Sequence, residues 1–222
     1  MTKQTVELID HMGSDLSVVN AARVSFDKES EWDNHLGFNN VLDDKDTSLI
    51  RYLAKHNHWT PFGHTAVTFR IKAPIFVARQ LMKHTVGLVW NEVSRRYVDS
   101  EPEFFEPEVW RERAENVKQG SSDEAVPFGK SLHDQLLWSN QESLTSYEWL
   151  LKAGVAPEQA RMVLPQSMMT TWMWTGNVAS FARVCKLRLD PHSQRETQEV
   201  AKMISDEMAV LYPVSWKELM QK

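Results

Sequence analysis

Between Ala78 and Val98 the chain reads ARQLMKHTVGLVWNEVSRRYV. Arg79, Lys83, His84, Glu92, Ser94, Arg95 and Arg96 alternate there with Leu81, Met82, Val86, Leu88, Val89, Trp90, Val93 and Tyr97. Gln80 and Asn91 add neutral hydrogen-bonding groups. A fold cannot bury that apolar set without holding the polar set in fixed places. Fixed cations need anions, and Glu92 is the stretch's only carboxylate. A small phosphorylated ligand is the simplest source of the rest.

The remainder of the chain limits what that ligand can be. A formal charge of −5 over 222 residues argues against a broad nucleic-acid surface. Hydrophobic residues make up 42%, enough for a packed core, so residues 1–222 are expected to form one domain. No apolar run approaches the roughly 20 residues of a membrane helix, and the N-terminal MTKQTVELIDHMGSD lacks a secretory core. The single cysteine, Cys185, excludes an internal disulfide and a thiol-only metal site, and fits a cytoplasmic location. Nine tryptophans read first as core and interface packing, and second as stacking surfaces for flat ligand rings.

Local signals predict a helix-rich α+β chain. Val6–Ile9 reads as a strand and Leu16–Ala22 as a helix after the Gly13-Ser14-Asp15 turn. Thr47–Lys55 reads as a helix capped by Asp44 or Asp46. Thr65–Lys72 alternates, Val67, Phe69 and Ile71 against Thr68, Arg70 and Lys72, as a half-buried strand does. Pro74 opens a helix expected to run from Ile75 to about His84. Gly87 breaks it, and NEVSRRYV reads as a loop entering a strand. The acidic 99–128 segment reads as a variable, mostly solvated excursion with a short helix at about 109–118. Ser131–Lys152 is a long helix with Leu132, Leu136, Ser139, Ser143, Tyr147 and Leu150 near one stripe. PEQARMVL is a short helix stopped by Pro165, and TTWMWT is strand-like. Asn177 caps a helix from Val178 to about Leu189. Asp190-Pro191 caps another from His192 to Leu211.

Familiar signatures are missing. No Gly-rich dinucleotide fingerprint, Walker loop or His-Glu-x-x-His occurs. His56, His58 and His64 do not have a standard zinc spacing. Ser94 has no local His-Asp relay, so it reads as a phosphate hydrogen-bond donor rather than a nucleophile. Arg161, Arg183 and Arg188 can be solvated cations with buried stems. Arg188, between Leu187 and Leu189 just before a capped turn, instead reads as a fixed guanidinium aimed at an acceptor.

TPFGHTAVTFRIKAPIFVARQLMKH, NEVSRRY, ARMVLP and LRLDPHSQRE, in that order, resemble the flavin-dependent thymidylate synthases. The similarity runs from Ala21-Ala22-Arg23-Val24-Ser25 to Glu196. That family's signature is Arg-His-Arg, seven residues, then Ser. This chain has Lys83-His84-Thr85 and one extra residue before Ser94. The resemblance implies a thymidylate synthase-complementing fold with a central, mainly antiparallel sheet. It implies that Gln80, Ser94, Arg96 and Arg161 hold the phosphate and sugar of dUMP, with Leu81, Met82, Lys83, Glu92, Val93 and Arg95 beside them. Arg188 would contact the uracil and help ionise N3, and His58 would position the flavin ring; these two are the implied catalytic residues. Ser25, Thr60, Lys83, His84, Thr85, Glu92, Asn177, Val178, Ala179, Arg183 and His192 fall at FAD positions, although the family usually has asparagine where Arg183 stands.

The implied reaction is reductive methylation of dUMP to dTMP, with methylenetetrahydrofolate as carbon donor and FAD reduced by NADPH. Activation of the uracil would be electrostatic, because Cys185 in an apolar helix is a poor nucleophile. The resemblance also implies a homotetramer with sites built from several subunits. Two rivals remain: a nucleotide- or flavin-binding sensor without catalysis, and a single-strand nucleic-acid binder using tryptophans and Arg95-Arg96.

Overall fold

The computed structural model describes residues 2–33, 41–98, 100–115 and 120–221. The strands are β1 (Thr5–Met12), β2 (Ala66–Pro74), β3 (Leu88–Glu92), β4 (Arg111–Arg113), β5 (Ser121–Ala125) and β6 (Met169–Gly176). The helices are α1 (Asp15–Arg23), α2 (Asp44–Lys55), α3 (Ile75–Leu81), α4 (Gly129–Lys152), α5 (Pro157–Ala160), α6 (Val178–Arg188), α7 (Arg195–Leu211) and α8 (Pro213–Met220). One antiparallel sheet has the order β1-β2-β6-β3, and β4-β5 forms a separate ribbon. The α+β class is as the local signals predict, and the antiparallel sheet is as the family resemblance implies. No helix among the described residues is long and apolar enough to cross a membrane.

Alternation fixes the core. Val67, Phe69, Ile71 and Ala73 of β2 are fully buried, while Thr68, Arg70 and Lys72 lie on the other face. Opposite them on β6, Trp174 pairs with Phe69 and Trp172 with Ile71. Phe181 of α6 meets Phe69 and Trp174 edge-on, at centroid distances of 5.2 and 5.4 Å. Both geometries are favoured by the ring quadrupole. Trp90 of β3 stacks on Trp172 at 4.4 Å. The packing role expected for the tryptophans therefore holds for Trp172, Trp174 and Trp216, whereas Trp59, Trp138 and Trp149 are exposed. Asp15, at the start of α1, accepts the N–H groups of Val214 and Ser215, both at 2.8 Å, and so caps α8 from the far end of the chain.

Several boundaries differ from expectation, each for a local reason. The cap of α2 is Asp43, whose carboxylate accepts Asp46 N–H at 2.7 Å; Asp46 is instead buried against Arg23. Helix α3 stops at Leu81, because His84 N–H turns back to Leu81 C=O and Gly87 adopts φ +72°. NEVSRRYV is a strand end followed by a turn, the reverse of the predicted order: Leu88–Glu92 pair with β6, and Ser94 C=O accepts from Tyr97 and Val98. Helix α7 starts at Arg195 rather than His192, since Asp190 accepts the His192 N–H and its C=O takes Ser193 N–H, forming a separate turn. The acidic excursion is more structured than predicted. Its expected 109–118 helix is replaced by β4 over the described part, and residues 116–119 lie outside the described residues. Arg111 of β4 donates to the buried Glu196 of α7 at 2.6 Å, which ties the ribbon down. In α4 the buried positions are Asn140, Leu144 and Tyr147, not a stripe reaching Leu132, because the helix packs through its C-terminal half onto Ala160, Phe104 and Leu164.

Candidate functional site

Three elements converge on one cationic node. Gln80 is near the end of α3, His84 follows in the turn, and Arg188 is the last residue of α6. Arg188 Nε donates to His84 Nε2 at 3.0 Å, and its Nη2 donates to Gln80 C=O at 3.0 Å. The side edge of the guanidinium is thereby taken up within the protein. Gln80 is itself clamped. Its Nε2 donates to Gln194 Oε1 at 2.6 Å and to Phe76 C=O at 3.2 Å. Its Oε1 accepts from the fully buried Thr197 hydroxyl at 3.2 Å. Burial lowers the Arg188 pKa. Burial, and then the Arg188 charge, hold His84 below the ordinary imidazole value. His84 accepts from an N–H, so it is neutral there.

Beside this node lies a cavity of about 440 Å³ lined by Gln80, Arg188, Asp190, His192 and Gln194, with Gly120, just before β5, also in its lining. His192 is held by Asp190, which lies 2.9 Å from its Nδ1 and also accepts its N–H.

A second cavity, about 470 Å³, is lined by Glu92, Val93, Arg95, Arg161, Lys72 and Thr170, with Glu103 and Glu158 among the other lining groups. Glu92 is anchored at both oxygens: Thr170 Oγ1 donates at 2.7 Å and Trp90 Nε1 at 3.2 Å. Arg95 donates to Ser100 C=O, and Arg161 Nε to Glu158 C=O at 3.2 Å. Ser94 Oγ accepts Arg96 N–H at 3.3 Å, and the Arg96 guanidinium lies 5.1 Å from the Tyr97 ring centroid.

A third group gathers at the N-terminus of α6. Asn177 caps the helix as predicted, accepting Ser180 N–H at 2.9 Å. The exposed Arg183 donates to Val86 C=O at 2.8 Å and Ser180 Oγ at 3.2 Å, which places it beside the Thr85–Gly87 turn. Gly87 suits this turn because of its φ of +72°, and a Cβ there would come 2.3 Å from Ser180 Oγ, so the Ser180 side chain would have to turn away.

The predicted residues are thus divided. Gln80, His84, Arg188 and His192 come together; Glu92, Val93, Arg95 and Arg161 form a second set; Thr85, Asn177 and Arg183 form a third. Met82 and Lys83 are exposed between them. Leu81, Val178 and Ala179 have buried side chains, so within one chain they offer a ligand only backbone atoms, and Val178 N–H already donates to Thr65. His58 and Thr60 are exposed after α2, where the Tyr52, His56 and His58 rings cluster with Tyr52–His56 centroids 4.4 Å apart. Ser25 is exposed in the turn after α1. Lys72, Thr170, Gln194 and Thr197 were not singled out from sequence. Lys72, on the polar side of the β2 alternation, and Thr197, at a position spaced for burial in the last long helix, carried a local signal, though not one for a site.

Cys185 is fully buried, its pKa pushed up by desolvation, with Sγ 3.5 Å from Ala201 C=O. That thiol is inert. Among the described residues no group of His, Cys, Asp and Glu is arranged to hold a metal ion.

The family model described as thymidylate synthase complementing protein matches residues 7–214. A flavin-dependent thymidylate synthase of Thermus thermophilus is 38% identical over 216 residues, covering 97% of this chain and 75% of that protein. One from Thermosipho africanus is 40% identical over 208 residues, covering 93% and 86%. Among solved structures, the UMP/dUMP methylase PolB of Streptomyces cacaoi bound with 5-Br dUMP superposes with a TM-score of 0.83 at 31% identity, covering 98% of this chain and 94% of that one. Its complex with 5-Br UMP gives a TM-score of 0.84 at 30% identity.

Proposed function

The chain belongs to the thymidylate synthase complementing protein family, and from that premise we propose that it catalyses the reductive methylation of dUMP to dTMP without a cysteine nucleophile. The observation that carries this reading is the Arg188 node. Its Nε and one Nη2 proton are engaged, which leaves the end of the guanidinium, Nη1 and the second Nη2 proton, for a ligand. Such a fork complements adjacent ring N and O acceptors, and it stabilises negative charge as uracil N3 is deprotonated. The buried, unreactive Cys185 leaves electrostatics as the route to activating the ring.

Ser94, Arg96 and Arg161 would hold the nucleotide phosphate and sugar, with Glu92 fixed by Thr170 and Trp90 beside them. The residues at the third group suit FAD. Lys83, Thr85 and Arg183 are exposed donors appropriate to a diphosphate and polyol, and the exposed Tyr52–His56–His58 rings suit a flat heterocycle. When bound, FAD would supply the reducing equivalents, drawn from NADPH, that turn the one-carbon unit of methylenetetrahydrofolate into a methyl group.

The expected nucleotide residues do not share one cavity, since Gln80 and Arg188 line one, Arg95 and Arg161 line another, and Ser94 and Arg96 line neither; that separation supports active sites completed by neighbouring subunits of a homotetramer. Exposed Val86, Val89, Leu187, Trp138 and Trp149 supply apolar surface for such contacts. One core cluster joins β1 and β2 to β6, α1, α2, α6, α7 and α8, which supports a single domain over residues 1–222.

The purified protein should take up FAD, bleach under NADPH, and form dTMP from dUMP and methylenetetrahydrofolate. A parallel assay with UMP reads the substrate range. Protein that never binds FAD excludes the reading; FAD and dUMP binding with no turnover under any reductant points to the sensor instead. Cys185→Ala should retain turnover within about 3-fold while costing about 1 kcal/mol of stability, an average single-mutant effect. Complete loss of turnover in a folded Cys185→Ala protein would restore covalent catalysis.

A further inference from the structure

We infer that His84 is a positioning residue for Arg188, accepting its Nε–H as the neutral Nδ1–H tautomer and thereby aiming the free end of the guanidinium. The inference rests on the proposed role of Arg188. A guanidinium on a flexible stem has many orientations, and at the end of α6 no side chain beyond Arg188 follows in the helix to restrain it. Two acceptors on the α3 segment do so. Gln80 C=O takes Nη2 at 3.0 Å and His84 Nε2 takes Nε at 3.0 Å, so both donors of one edge are satisfied and the plane is set. Gln80 is rigid because Gln194, Phe76 and Thr197 hold its side chain. His84 is rigid at its backbone through the bond to Leu81 C=O.

The acceptor is one that protonation removes. The charged group that acts on His84 is Arg188 of α6; Lys83 precedes it on its own turn, Arg183 of α6 donates to Val86 two residues on, and the Asp190–His192 pair lines the cavity with Arg188. The nearest of these is a cation. A protonated His84 would lose its Nε2 lone pair and face Arg188 as a like charge, releasing the guanidinium from its aim. The His84 pKa is lowered from 6.5, so at neutral pH the acceptor is intact, and it is lost as pH falls through that lowered value. Nucleotide binding and turnover then carry an acid limb belonging to His84.

The dUMP phosphate also titrates near pH 6, so the test compares variants over the same pH range. His84→Gln places an amide oxygen close to Nε2 without a titrating group; His84→Leu removes the acceptor. His84→Leu should lose about 100-fold in kcat/KM at neutral pH, the scale of a misplaced reacting group, and the loss should shrink at acid pH as wild type descends its own His84 limb. His84→Gln should recover most of it, and its ratio to wild type should rise below pH 6.5 because its own acid limb is gone. Equal losses in the two variants, or an unchanged acid limb in His84→Gln, would overturn the inference.

A second measurement does not depend on turnover. With histidine labelled at Cε1, the His84 resonance, identified by its absence in His84→Gln, should titrate below 6.5 in the wild type and move upward in Arg188→Leu. An unmoved His84 titration would show that the pair does not form. Wild-type protein that makes no dTMP, yet shows the Arg188-dependent titration, would remove the proposed reaction while keeping the pair.

Discussion

Arg188→Ala is expected to lower dTMP formation by at least 10²–10³-fold, the order lost when a preorganised donor to developing charge is removed, while the protein stays folded. Both halves of that result follow from the same geometry. Arg188 is only partly buried and ends α6, so truncation opens no core cavity. What is lost inside the protein is the pair of bonds to His84 Nε2 and Gln80 C=O. Gln80 and His84 are both only partly buried, so the stability cost should be about 1–2 kcal/mol. The lost catalysis is larger because the guanidinium's free end is the only group on the α6–α3 node proposed to meet uracil. Arg188→Lys should rescue little. An ammonium keeps the charge but cannot bond His84 and Gln80 along one edge while presenting a second edge to a ring. The measurements are steady-state dTMP production and a thermal melt of each variant. Near-normal turnover in Arg188→Ala would show that another group activates the ring. Loss of the folded baseline would show that the node is structural.

The parts of the fold that were legible in the sequence are those fixed by neighbours along the chain. The alternation of β2, the Asn177 cap of α6 and the Pro157–Pro165 bracket of the short helix each depend on residues a few positions apart. The parts that were not legible depend on partners far away. Leu88–Glu92 became a strand because β6 pairs with it, and Glu92 finds Thr170 at a separation of 78 residues. The acidic segment gave up its predicted helix because Arg111 reaches Glu196, 85 residues on. For the site, a family resemblance supplied Gln80, His84, Arg188 and His192 as separate names. It did not supply the fact that the first three are one hydrogen-bonded unit, nor that Gln194 and Thr197 hold Gln80. A hydrogen bond between a helix end and a turn about 100 residues earlier leaves no periodic trace: Arg188 between two leucines reads as a guanidinium aimed at an acceptor, but nothing local names His84 as that acceptor.

Phe181→Ala is expected to have the largest effect on stability, about 3–5 kcal/mol by the usual cost of deleting a buried phenyl ring. Phe181 is fully buried, and its ring stands edge-on to Phe69 of β2 and Trp174 of β6 at once. It is therefore the bolt between α6 and the two central strands. Removing it forfeits the transfer energy of the ring, two aromatic contacts, and the filling of a space that Phe69 and Trp174 cannot collapse into without leaving their strand register. Against a domain stability of about 5–15 kcal/mol, such a loss takes up a large share of the total. Phe181→Leu, which keeps much of the volume, should lose well under half as much. Urea unfolding of the two variants gives the comparison. A loss below about 1 kcal/mol for Phe181→Ala would mean that α6 is held by something other than this contact, since a filled core site does not lose a ring so cheaply. The same helix carries Asn177, Arg183 and Arg188, so Phe181→Ala should also weaken dUMP and FAD binding together. Arg188→Ala should instead weaken dUMP chemistry while FAD uptake persists. That contrast separates a scaffold residue from one that meets the substrate, even though both lie on α6 within two turns of each other.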